Sequence, residues 1–263
     1  MAGKPRELSD DEKANANLSI SPRYFIPQKF AQEILAKYAD YERSWLLIWR
    51  DIARSTDERT CFATAIPKIL ASRTSPALGF SAIRVPTALL TNLNTFIFDY
   101  LARQKVGGTH LNFSVLKQLP VLMPEQYISA CAWDYNVIVA DWLLPRALEL
   151  TYTAWDLEAF AKDCGYDGPP FIWNEERRFL LRCELDAAYF HLYGMKRGDV
   201  DYIMETFPIV KKKDEKLYGN YRTKYVILSR YDEMHRVVRT GKPYRTRLIP
   251  PPADPSVAHP PRR

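Results

Sequence analysis

The chain has no long apolar run, no paired cysteines and no common glycine-rich cofactor loop, and each absence narrows what it can be. No stretch approaches the roughly 18 consecutive apolar residues of a membrane-spanning helix, so no membrane partner is expected. Cys61, Cys131, Cys164 and Cys183 lie far apart without a C-x-x-C pair, and residues 1–11 are charged rather than apolar. Reduced thiols and a cytoplasmic location are the expectation. There is no G-x-x-x-x-G-K-[ST] and no G-x-G-x-x-G, which removes the usual backbone cradles for nucleotide phosphates. Gly79-Phe80-Ser81-Ala82-Ile83 begins like a nucleophile elbow but lacks the closing glycine. His110, His191, His235 and His259 fall at no metal-ligand spacing. Asp57-Glu58 and Asp214-Glu215 read as solvated turn charges, and no fixed-period repeat is present.

What is there suits a folded, basic protein. Of 263 residues, 47% are hydrophobic and 13% aromatic, enough for one large or two small cores. The net charge of +6 is unevenly placed. Residues 187–263 hold 16 Lys+Arg against 8 Asp+Glu, whereas residues 1–186 hold 21 against 23. A basic last third is suited to a polyanionic partner, although basic charge alone is common in proteins that bind nothing acidic.

The expected fold class is α+β. Residues 1–22 are polar and read as a flexible leader. Residues 23–125 read as an α+β lobe, opened by a helix from Pro27 through Ile34, Leu35 and Tyr38. WLLIWRDIA and TCFATAIPKIL, separated by the polar break Arg54–Arg59, read as two antiparallel strands, with a further strand over 78–84. A helix starting at Pro86 carries Leu89, Leu93, Phe96 and Tyr100 on one stripe. Residues 126–241 read as helical. They hold a helix over 134–162 kinked at Pro145, one capped by Asn174 and ending near Gly194, a short one over 199–206 stopped by Pro208, and one over 222–239 with Ile227, Tyr231, Met234 and Val238 inward. The seven prolines after Gly241 predict an extended, mostly flexible tail over 242–263.

The stretch NLNTFIFDYLARQKVGGTHLNFSVLKQLPVLMP is the most distinctive. An apolar helix runs into Arg103-Gln104-Lys105-Val106-Gly107-Gly108-Thr109-His110, and an amphipathic turn over 116–119 then stops at Pro120. Gly107 and Gly108 permit close backbone approach. Arg103, Gln104, Lys105, Thr109, His110 and Asn112 offer groups that hydrogen-bond phosphates and base edges. The competing reading is a solvated loop between helices.

Several long stretches, in matching order, resemble the target-recognition and helical C-terminal regions of large adenine-specific DNA methyltransferases. Such proteins include fused type IIG restriction–modification enzymes and the methyltransferases of DISARM- and BREX-type phage-defence systems. RDIARSTDERTCFATAIPK (50–68) resembles the start of the recognition region, and LNTFIFDYLARQKVGGTHLNFSVLKQLPVL resembles the segment that closes it. DGPPFIWNEERRFLLRCELDAAYFHLYGM and DYIMETFPIVKKKDEKLYGNYRTKYVILSRYDEM resemble the helical part, and the PPPADP tail fits as well.

In that family S-adenosylmethionine and an N-P-P-Y-type tetrapeptide belong to a domain preceding these regions, and neither motif is found here. Gly168-Pro169-Pro170-Phe171 lacks the acceptor side chain of that tetrapeptide and reads as a rigid turn. The resemblance implies that residues 23–125 recognise double-stranded DNA, while a catalytic domain or subunit absent from this chain holds the cofactor and transfers the methyl group. Other defence-system subunits are further expected partners. Arg50, Arg54, Arg59 and Arg73 are candidates for phosphate or guanine contacts, and Gln104, Thr109, His110 and Asn112 for base edges. Lys211, Lys212, Lys213 and Lys224 are candidates for tracking the backbone. For each, a surface charge or fold-internal bond is the competing reading. The alternative function is a scaffold that docks partner proteins without reading DNA.

Overall fold

The structure, a computed structural model, describes residues 7–19, 27–36, 41–54, 56–69, 74–79 and 84–262. The fold is α+β, as expected. Its first element, α1 (Asp10–Lys13), is a single capped turn in which Ser9 and Glu12 cap each other reciprocally. α2 (Gln28–Ala36) follows Pro27. The sheet consists of β1 (Trp45–Trp49) and β2 (Ala63–Pro67), antiparallel from Trp45 opposite Pro67 to Trp49 opposite Ala63. β3 (Ala77–Leu78) pairs with the other edge of β1, giving the order β2-β1-β3. Trp45, Leu47 and Trp49 point into the core while Leu46 and Ile48 are half-buried, the period of two that a strand requires. Of the strand expected over 78–84 only Leu78 is in β3: Gly79 has already left it, Arg84 begins the next helix, and residues 80–83 lie outside the described residues, as does Tyr38 of the first helix.

The single helix expected from Pro86 is two, α3 (Arg84–Leu93) and α4 (Phe96–Lys105). The break comes from a bond to another element. Asn94 spends its carboxamide on the backbone of Ala63, accepting at 3.1 Å and donating at 2.9 Å, and Thr95 then caps α4 by accepting from Phe98 N–H. Short turns α5 (Phe113–Leu116) and α6 (Pro124–Tyr127) follow, the first starting earlier than expected because Asn112 caps it.

Residues 134–138 do not begin a helix. Val137 and Ile138 lie in β5 (Asp134–Ile138), which pairs with β4 (Ala130–Cys131), and β-branched residues favour that pleated surface. α7 (Val139–Thr151) passes through Pro145 unbroken. The proline removes one hydrogen bond, but burial of Trp142, Leu143, Ala147 and Leu148 holds the helix. After α8 (Glu158–Asp163), Asn174 caps α9 (Glu175–Leu192) as expected, and Gly194 at φ +68° follows its end.

α10 (Arg197–Glu205), α11 (Pro208–Tyr218) and α12 (Arg222–Thr240) complete the helices. Pro208 is the first residue of α11 as well as the stop of α10, so Lys211–Lys213 sit on a helix the sequence reading missed. On α12 the inward valine is Val237; Val238, expected inside, is 69% exposed.

Two apolar clusters hold the molecule together, and they do not divide at residue 125. One gathers Trp45, Leu47, Trp49, Leu90, Phe98 and Leu111 with Leu148, Tyr152, Phe160 and Phe171 from beyond that position. The other joins α9, α10 and α12 to Ala88, Phe96 and Ile97. Helices α3 and α4 thus face both clusters. Buried polar bonds reinforce the junction: Phe96 N–H donates to Asp186 at 2.7 Å, and Thr91 and Tyr189 share a hydroxyl bond of 2.7 Å.

The proline-rich segment is extended apart from turns and a single 3-10 turn at Pro255–Val257, and it is strapped down where a mostly flexible tail was expected. Tyr244 is buried, donates from its hydroxyl to Glu184 at 2.7 Å, and its N–H reaches the Trp133 carbonyl at 2.8 Å. Glu184 also receives Thr246 and the buried guanidinium of Arg146. Further on, Arg177 donates to the carbonyls of Pro250 and Pro251 at 2.7 and 2.9 Å, while its partner Glu149 accepts the Ala253 N–H at 2.8 Å. Proline carbonyls are strong acceptors with no N–H beside them, which lets such a stretch bond inward without a ladder. Residues 7–19, expected to be a loose leader, are also seated: Ala16 is buried, its carbonyl accepts from Trp155 N–H, and Asn17 accepts from Arg262.

Candidate functional site

The basic loop of the lobe is built on β1. Past Trp49 the chain continues as Asp51-Ile52-Ala53 and pairs with the segment after α4. Ala53 N–H donates to the Thr109 carbonyl at 3.0 Å, Leu111 N–H to the Asp51 carbonyl at 2.7 Å, and Ile52 and His110 form an isolated bridge. Trp49 fixes the same corner from inside by donating its indole N–H to the Leu111 carbonyl at 2.7 Å. Gly107, Gly108, Thr109 and His110 therefore stand exposed on a rigid footing beside Arg54, Gln104 and Lys105.

Within this edge the predicted residues differ in freedom. Arg54 and Lys105 are exposed, with no side-chain partner among the described residues. Gln104 holds only the Tyr100 carbonyl, at 3.3 Å. His110 Nδ1 lies 2.8 Å from Asp51. Asn112 is committed to capping α5 by accepting from Val115 N–H. Neither Gly107 nor Gly108 has a positive φ, and a Cβ added at either would meet nothing within 4 Å. The fold itself does not require glycine at these two positions.

Three predicted arginines are tied up internally. Arg59 donates to the fully buried Asp99 at 2.9 Å and to the Asn94 carbonyl at 2.7 Å, with its guanidinium over the Phe96 ring. Asp99 also accepts the N–H groups of Thr60 and Cys61, so this carboxylate anchors the end of the loop between β1 and β2. Arg103 reaches the carbonyls of Asp57 and Glu58 in the lobe at 2.7 and 3.0 Å, and that of Thr206 after α10 at 3.2 Å. Burial pulls its guanidinium pKa down, against the nearby charge of Asp99. Arg50 is more exposed; it pairs with Asp57 at 3.4 Å and lies over Phe62. Arg59 and Arg103 thus spend most of their bonding within the chain, although Arg103 Nε is buried with no acceptor among the described residues, and this leaves the two side chains little to offer a duplex. Arg73 lies outside the described residues.

The lysines of the helical part are mostly paired. Lys211 and Lys224 share Glu205, Lys224 also holds Asp201 at 2.8 Å, and Lys213 pairs with Glu58. Lys212 is exposed with no partner among the described residues.

The cavity the sequence reading missed lies where α9 meets the lobe. It has a volume of about 440 Å³ and is bounded by β2, the α3–α4 junction, the end of α7 and one face of α9. Arg178, Arg182 and Asp186 line it from α9, with Arg59 opposite and Leu90, Phe96 and Phe179 supplying apolar wall. Arg178 stacks on Trp173 at 3.6 Å, and its Nε and Nη1 are buried without an acceptor among the described residues. Burial and then the charge of Arg182 push the Arg178 pKa down to about 10. Burial raises the Asp186 carboxyl to about 7, against the nearby charge of Arg59. A signal was available: Arg178, Arg182 and Asp186 recur at i, i+4 and i+8, the spacing of one helical face. The apolar stripe Leu181, Leu185 and Ala188 on the same helix is the stronger periodic signal and masks it.

All four cysteines are free, and no cluster of His, Cys, Asp or Glu among the described residues is placed to hold a metal. No described helix is long and apolar enough to cross a membrane. Comparisons with protein-family models, with curated proteins and with solved structures each find no match for this chain.

Proposed function

We propose that this chain is the DNA-binding, target-recognition portion of an adenine-specific DNA methyltransferase of a restriction–modification or phage-defence system. On this reading it grips a duplex, while S-adenosylmethionine and the catalytic tetrapeptide belong to a separate catalytic domain or subunit. The observation that carries the reading is the Gly107-Gly108 turn. Neither backbone conformation nor packing within the chain calls for glycine there, yet the turn is pinned to β1 and flanked by Arg54 and Lys105, cations with no side-chain partner among the described residues. A turn of that kind admits a phosphate backbone close to its own N–H groups, with cations on either side to neutralise it. Thr109 and Gln104 then present donors and acceptors toward the grooves.

The test is duplex binding by fluorescence anisotropy across a salt series. The double variant Arg54→Ala/Lys105→Ala is expected to lower the slope of log affinity against log salt by about two units, each phosphate contact contributing roughly 0.9. Gly107→Ala/Gly108→Ala is expected to weaken binding with the fold intact. Unchanged isotherms for both variants would remove this edge from the interface. S-adenosylmethionine is expected to leave the melting temperature unchanged, and an upward shift would overturn the division of labour.

A second reading, a scaffold for partner proteins, is favoured by the exposed Tyr202, Leu217, Tyr218 and Tyr225 on α10, α11 and α12. A stable complex with a partner protein, without measurable duplex affinity, would decide for it.

A further inference from the structure

We infer that the cavity between α9 and the lobe is a binding site for a small organic anion, with an oxyanion head held by Arg178 and Arg182 and an apolar body against Leu90, Phe96 and Phe179. This site is separate from the duplex-binding edge and does not rest on that reading.

Four observations lead there. First, the space of about 440 Å³ falls within the range of small-molecule pockets. Second, Arg178 presents two buried N–H groups with no acceptor among the described residues, which is costly for a charged donor and rare in a folded interior. Third, Arg182 stands one helical turn further along the same wall, exposed and with no hydrogen-bond or ion-pair partner among the described residues, so two guanidinium groups line one space with Glu175 and Asp186 as nearby but unbonded carboxylates. Fourth, the other charges on the wall are already answered. Arg59 is paired with Asp99, Glu58 with Lys213, and the Asp186 carboxyl accepts the Phe96 N–H.

An oxyanion placed between Arg178 and Arg182 accepts from both forks at once and relieves their mutual repulsion. Phosphate monoesters and carboxylates share that chemistry. The aromatic and aliphatic wall selects for an apolar body attached to it.

The experiment is isothermal titration of the full chain with phenyl phosphate, benzoate and inorganic phosphate, repeated on Arg182→Gln and Arg178→Gln. Saturable one-to-one binding of phenyl phosphate or benzoate is expected, with the tighter of the two identifying the head group. Inorganic phosphate is expected to bind more weakly than phenyl phosphate. Arg182→Gln, at an exposed position, is expected to weaken binding about tenfold or more while the melting temperature holds. Arg178→Gln is expected to weaken it further, and Arg182→Lys to restore part of the loss. Equal affinity in wild type and Arg182→Gln, or no saturable binding by any probe at millimolar concentration, would overturn the site. Duplex binding by Arg182→Gln is expected to match wild type, which keeps failure here distinct from failure of the DNA-binding reading.

Discussion

The proline-rich strap over 242–262 and the glycine turn over 107–110 look alike as sequence, polar and poor in regular structure, and they are held in opposite ways. The strap places Tyr244 and Leu248 in the interior and gives its carbonyls and N–H groups to Arg177, Glu149 and the Trp133 carbonyl. The turn is tied through the backbone of Thr109 and Leu111, while a Cβ at Gly107 or Gly108 would meet open space. Composition reports that a stretch lacks helix or strand. Whether it is anchored depends on a few residues with somewhere to go: an aromatic ring with a buried carboxylate to bond, or an arginine reaching in from a neighbouring helix.

The contrast can be broken by experiment. The largest effect belongs to the strap. Tyr244→Ala removes a buried ring and leaves Glu184 short of one donor, and should cost about 3 to 5 kcal/mol of stability in urea denaturation. An unchanged midpoint would mean that the strap is decoration. Next is Arg103→Ala, one turn before the glycine turn. Losing a guanidinium shared among three carbonyls and Asp99 should cost about 3 kcal/mol, so any loss of DNA binding in that variant reports unfolding before it reports contact.

A smaller effect is expected from Asp186. Burial raises its folded pKa to about 7, whereas the unfolded carboxyl titrates near its ordinary value of 3.8. The native state therefore keeps a proton that the unfolded chain releases between those values. Stability is greatest below that window and falls as pH rises through about 7. Asp186→Asn should flatten the decline by on the order of 1 kcal/mol or more while still accepting from Phe96. Parallel stability–pH curves would count against the charge account. Smallest is Arg54→Ala/Lys105→Ala, which should change stability by no more than about 0.5 kcal/mol and show itself only in the duplex titration.

Much of the architecture was legible in the sequence. The antiparallel pairing of β1 and β2, the Asn174 cap and the inward face of Ile227, Tyr231 and Met234 follow from alternation, capping chemistry and helical period. The failures share a cause, which is that long-range bonding is invisible to local pattern. Asn94 breaks a helix because it must reach Ala63 in another element. Pro145 fails to break one because the packing around it outweighs a lost hydrogen bond. Residues 134–138 became a strand because Ala130–Cys131 offered an edge. The candidate edge was readable as a basic glycine loop, but not which of its arginines were free. Arg59 and Arg103 differ from Arg54 only in having Asp99 and a set of carbonyls within reach. The cavity was the least legible, since its walls come from β2, α3, α4, α7 and α9 together with Val210 of α11 and Thr223 of α12, elements distant in sequence.

The bond between Asn17 and Arg262, at 3.1 Å, joins positions 245 apart. A covalent crosslink engineered at that contact would enclose nearly the whole sequence in one loop. Chain-entropy arguments assign the greatest loss of unfolded-state freedom to loops of that length. At that contact one added bond would restrain almost every residue at once.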